Sequence, residues 1–62
     1  MTNHETEIYN ALHDAVARGF ATFYIERLDA IRLYNKHGVT VRTIELRECS
    51  EEAQNEFFDI II

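Results

Sequence analysis

The sequence predicts an all-α protein: an antiparallel helix pair followed by a C-terminal helix, completed by dimerisation. Three observations lead there. Apolar residues recur every three or four positions from Ile8 to Val16 and again from Phe20 to Tyr34, the spacing that gathers side chains on one face of a helix. There is no proline, and Gly19 and Gly38 are the only glycines, so few positions force a break. Leu46, Cys49, Ala53, Phe57 and Ile60 make a third stripe of the same period.

Each element follows from local signals. Thr2 with Glu5 three residues on fits a capping box, with Asn3 as a rival cap. Glu5 and Glu7 then place negative charge in the first turn, where the helix dipole favours it. The first helix is expected over residues 4–18. Gly19 either ends it or lies inside a longer helix. The second helix is expected over residues 20–37, with Phe20, Phe23, Tyr24, Leu28, Ile31 and Tyr34 on one face and Ile25 and Leu33 on another. A helix apolar on two faces needs two partners. Lys36, His37 and Gly38 read as its C-terminal stop. Residues 39–48 support two readings. A helix starting at Thr40 or Thr43 fits the third stripe, with Ser50 as a fresh cap before Glu51 and Glu52. A strand at 39–46 fits the β-branched residues Val39, Thr40, Val41, Thr43 and Ile44 and makes α+β the alternative class.

The chain has 62 residues, which makes one small domain across 1–62. Chains of this size bury only about 60% of their unfolded surface and usually need a staple or a partner. A single cysteine forms no internal disulfide. Phe57-Phe58-Asp59-Ile60-Ile61-Ile62 adds an apolar patch that invites burial against a second chain. A homodimer is therefore expected, with Phe20, Tyr24, Leu28, Ile31, Tyr34, Phe57, Ile60 and Ile61 as the dimer or partner interface. No apolar run is long enough to span a membrane, and the polar start Met1-Thr2-Asn3-His4-Glu5 does not read as a secretory signal. The expected location is the cytoplasm.

The net charge of −5 conceals a pattern. Residues 1–17 carry three acids and no base, and residues 48–62 carry five acids and no base. All six bases lie in residues 18–47, beside three acids. The centre can attract both ends, within a chain or between chains.

No chemistry stands out. Cys49 could pair with His4, His13 or His37 as a nucleophile, but Glu48, Glu51 and Glu52 surround it and disfavour a thiolate. It reads as structural. No two histidines stand three or four apart, there is no second cysteine, and there is no glycine-rich phosphate loop. Neither a metal, a cofactor nor an enzymatic activity is expected.

Two resemblances bear on function. Gly38-Val39-Thr40-Val41-Arg42-Thr43-Ile44 resembles the turn and recognition-helix start of helix-turn-helix regulators of the mercury-resistance type. That implies a DNA-binding module in which Arg42, Thr43 and Arg47 face phosphates or base edges. Tyr34 departs from the pattern, standing where that fold wants a small residue, and Glu45, Glu48, Glu51 and Glu52 oppose phosphate. Across its whole length, with the start Met-Thr-Asn-His-Glu-Thr-Glu and the central Tyr-Asn-Lys-His-Gly-Val-Thr, the chain resembles small accessory proteins of lambdoid bacteriophages. These are encoded in the early region between the exonuclease and excisionase genes. The resemblance implies a helical regulator of the lysis–lysogeny choice or of host physiology. The leading expectation is thus regulation by protein–protein contact, with itself and an unidentified protein, a host protein among the candidates, as partners. DNA binding through residues 38–47 is the alternative.

Overall fold

Thr2 and Glu5 start the first helix as their spacing predicts. The computed structural model describes all 62 residues. Helix α1 spans Asn3–Ala17. The Glu5 amide donates to Thr2 Oγ1 at 3.1 Å, and the Thr2 amide donates to Glu5 Oε1 at 2.9 Å, so two amides without helical partners are satisfied reciprocally. Gly19, at φ +79°, ends the helix. The Phe20 amide reaches back to the Ala15 carbonyl at 2.9 Å and the Gly19 amide to Val16 at 3.0 Å, the bonding of a Schellman cap.

The expected second helix over 20–37 is a β-hairpin instead. Strand β1 is Ala21–Ile25 and strand β2 is Ala30–Tyr34, paired antiparallel without a break. A 3₁₀ turn at Glu26–Leu28 and Asp29 at φ +49° join them. The class is α+β, not all-α. The physical reason lies in how the apolar side chains can be covered. As a helix, this segment would leave a second apolar face without a partner. As a hairpin, alternation sends Ile31 and Leu33 to one face, where both are buried.

The alternative strand reading of 39–46 corresponds to β3, Thr40–Glu45. It pairs with β2 to give a three-stranded antiparallel sheet in the order β1-β2-β3. Asn35 through Gly38 form the connecting turn: the Gly38 amide donates to the Asn35 carbonyl at 3.0 Å, and Asn35 Oδ1 accepts from the His37 and Val39 amides. Gly38 takes φ +78°. The glycine expected to stop a helix therefore serves a hairpin, because the left-handed conformation suits both. The register shifts between Leu33 and Tyr34, which leaves Val41 as the extra residue of a bulge.

A 3₁₀ turn at Leu46–Glu48 leads to helix α2, Glu51–Ile61. Ser50 caps it, its Oγ accepting from the Ala53 amide at 3.1 Å. Both helices pack on one face of the sheet. The core joins Ile8, Leu12 and Ala15 of α1 with Ala53 and Phe57 of α2, then Ile31, Leu33 and Ile44 of the sheet, and Leu46 and Cys49. Phe57, Leu12, Ile31 and Leu46 are fully buried within the single chain.

Glu5 ties the two helix starts together. Its second carboxylate oxygen accepts from the Ser50 amide at 2.7 Å. That bond, with the one from Thr2, holds its carboxyl down to about 2 from the ordinary 4.5.

Candidate interaction surface

Alternation in the strands divides the sheet into two faces. By register, Thr22 and Tyr24 of β1, Ile31 and Leu33 of β2, and Arg42 and Ile44 of β3 share the helix side. Two contacts confirm the assignment. Arg42 Nη1 pairs with Glu7 of α1 at 2.9 Å, and the Tyr24 ring meets Phe58 of α2 edge-on at 5.3 Å.

The opposite face carries Ala21, Phe23 and Ile25 of β1, Ala30, Arg32 and Tyr34 of β2, and Thr43 and Glu45 of β3; Ala30 is buried, and around Phe23 the face is open. Phe23 is 57% exposed. Its ring lies 5.9 Å from that of Tyr34, and Arg32 is its cross-strand partner. Arg32 Nε donates to Thr43 Oγ1 at 3.3 Å and forms no ion pair. An aromatic pair with an unneutralised guanidinium is the composition of a contact site, because both side-chain types anchor interfaces. Alternation in Ala21-Thr22-Phe23-Tyr24-Ile25 was the sequence signal for it, masked by the competing helical period.

The expected interface residues are scattered by the fold. Ile31 and Phe57 are fully buried in the core, so neither can touch a second chain while this one is folded. Phe20, Ile60 and Ile61 are half-buried and pack against that core. Tyr24 and Leu28 are exposed, and Tyr34 stands on the uncovered face. Tyr24 Oη donates to Asp29 Oδ1 at 3.1 Å, which raises its hydroxyl above the usual range.

The residues proposed for DNA readout do not lie on a helix. Arg42 and Thr43 belong to β3, and Arg47 lies in the 3₁₀ turn with its guanidinium 3.7 Å from Glu45. Residues 38–47 therefore supply no recognition helix to enter a groove. Arg42 and Thr43 line a cleft of about 280 Å³ together with His4, Ile8, Glu45 and Glu48. Glu7 is held below the usual carboxylate range by its hydrogen bond to Arg42 and then by that charge, so Arg42 is already neutralised.

The Cys49 thiol is packed in the core and has one hydrogen-bond partner, the Glu45 carbonyl at 3.9 Å. Burial, then the charges of Glu5 and Glu48, push it above its ordinary value, the reverse of what a nucleophile needs. The residues behind the phage resemblance also have structural duties: Thr2 and Glu5 cap α1, while Asn35 and Gly38 make the β2–β3 turn. No helix is long and apolar enough to cross a membrane. Compared with protein-family models, curated proteins and solved structures, the chain matches none.

Proposed function

We propose that this chain is a small non-enzymatic regulator that works by binding another protein through its uncovered sheet face. The observation that carries the reading is Phe23, more than half exposed on that face at the β1 edge, with its ring near Tyr34 and opposite Arg32, which forms no ion pair. The partner is a protein surface that offers carboxylates to Arg32 and an apolar spot to the two rings. Lys36, in the turn after Tyr34, is a further base without an ion pair. A role in phage development or host physiology accords with the resemblance to phage accessory proteins.

The test is capture from a bacterial lysate on immobilised wild-type protein and on Arg32→Glu and Tyr34→Ala variants, with and without nuclease. A protein retained by wild type and lost from both variants supports the reading. Equal retention on all three baits overturns it, and loss on nuclease treatment assigns the face to nucleic acid instead.

A further inference from the structure

We propose that two copies of this chain pair antiparallel through their β1 edges, about a two-fold axis at Phe23. The two edges of the sheet differ in kind. At β3, the edge carries a bulge at Val41 and the charged residues Arg42 and Glu45. Bulges and charges are the devices that keep an edge strand from pairing. Ala21-Thr22-Phe23-Tyr24-Ile25 has neither: no charge, no glycine or proline, and unbroken register with β2. Three of its five residues, Ala21, Phe23 and Tyr24, are exposed.

The order of side chains in β1 suits self-pairing. An antiparallel pair centred on Phe23 sets Ala21 opposite the partner's Ile25, and Thr22 opposite the partner's Tyr24. Each small residue meets a large one on the same face, and Phe23 meets its own copy. Side chains so opposed stand about 5 Å apart, and aromatic and aromatic–β-branched pairs are among the favourable ones. No charge faces a like charge across the seam. Pairing also satisfies the outward amides and carbonyls that an edge leaves to water.

The consequence reaches the uncovered face. Joining two sheets makes six strands, with both Phe23 rings at the centre and an Arg32 and a Tyr34 on each side. The use of that joined face rests on the function proposed above, whereas the pairing itself rests on the edge alone. A seam about 17 Å long is small beside a standard interface of roughly 800 Å² per partner, so the dimer dissociates on dilution.

The experiment is sedimentation velocity of the wild-type protein from about 5 to about 500 µM, beside Phe23→Glu, which sets two carboxylates face to face at the axis. Circular dichroism checks that the variant is folded. Oxidative cross-linking follows, in a Cys49→Ala background, with a single cysteine at position 23, 22 or 43. The sedimentation coefficient of wild type should rise with concentration and that of Phe23→Glu should not. Phe23→Cys should cross-link about tenfold faster than Thr22→Cys or Thr43→Cys, because only the axial residue meets itself. A wild-type monomer throughout the range, association undiminished in Phe23→Glu, or faster cross-linking through Thr43→Cys overturns the proposal. Purified protein alone decides it, and Arg32 and Tyr34 lie off the seam, so its failure and that of partner binding are read separately.

Discussion

Phe57 and Phe23 are the same side chain in opposite settings, and truncating each to alanine measures how far this core closes within one chain. Phe57 is fully buried among α1, α2 and the sheet, whereas Phe23 is 57% exposed. A buried Phe→Ala change costs about 3–5 kcal/mol, from lost transfer energy plus the cavity left behind. A domain of 62 residues has a total stability of about 3–9 kcal/mol. Phe57→Ala should therefore leave a marginal or unfolded protein at 25 °C. Phe23→Ala gives up less than half of a full burial and leaves no cavity, so it should cost about 1 kcal/mol or less. The assay is urea unfolding followed by far-ultraviolet circular dichroism, at one low concentration that keeps the chains apart. Phe57→Ala should lose most of the folded baseline, while Phe23→Ala should shift only the midpoint at constant slope. Equal losses in the two variants, or a Phe57→Ala protein within about 1 kcal/mol of wild type, would refute the single-chain core and return Phe57 to an interface.

Three further outcomes follow from the same geometry. Glu5 has its carboxyl lowered in the folded state, so its stabilisation is present above its unfolded value of 4.5 and is lost as pH falls from there toward about 2; Glu5→Gln should be less stable than wild type at pH 7 and converge with it near pH 2, as read by urea midpoints across that range. Gly38→Ala should cost about 1–2 kcal/mol through its left-handed conformation alone, since a Cβ there meets nothing within 4 Å, and Gly38→Asn should recover most of that loss. The Cys49 thiol, 8% exposed and raised above its ordinary value, should react with iodoacetamide at pH 8 far more slowly in the native protein than in urea, and equal rates would contradict its burial.

The two helix starts were legible because their signals are local. Thr2 with Glu5 and Ser50 before Glu51 and Glu52 name caps at the two helix starts, while Gly19 allowed either a stop or a longer helix and its left-handed conformation makes it the stop. The middle of the chain was not legible, for two physical reasons. In residues 20–34 the three-and-four spacing and the two-residue alternation coexist, and only tertiary cover decides between them. Ile31 and Leu33 are buried on one face, a pairing that a helical period separates. Second, the β1–β2 connection uses Asp29 in the left-handed region in place of glycine or proline, so the residues that usually mark a turn are absent. The hidden break at Asp29 is why a hairpin read as one long helix. The candidate interaction face was hidden with it, because a face made of alternate strand residues has no counterpart on a helix.

The charge pattern, by contrast, gains meaning from the fold. Its two acidic blocks coincide with α1 and α2, and its basic block with the sheet and the turns around it, so a sequence of charges becomes two layers. Three bases are spent inside the molecule, Arg18 on Asp14, Arg42 on Glu7 and Arg47 on Glu45. Among Arg27, Arg32 and Lys36, which have no ion pair, only Arg32 lies within a strand, at the centre of the uncovered face. The acids of the helical layer oppose phosphate, while on the sheet face Glu45 is paired with Arg47 and Arg32 is left as a base without an ion pair. The two contacts proposed for this chain must then answer to salt in opposite ways. Raising ionic strength from about 0.1 to 1 M shortens the screening length from about 10 to 3 Å, which weakens a partner held by Arg32. The β1 seam carries no charge, and two copies of net charge −5 repel each other less at high salt, so self-pairing holds or strengthens where partner binding fades.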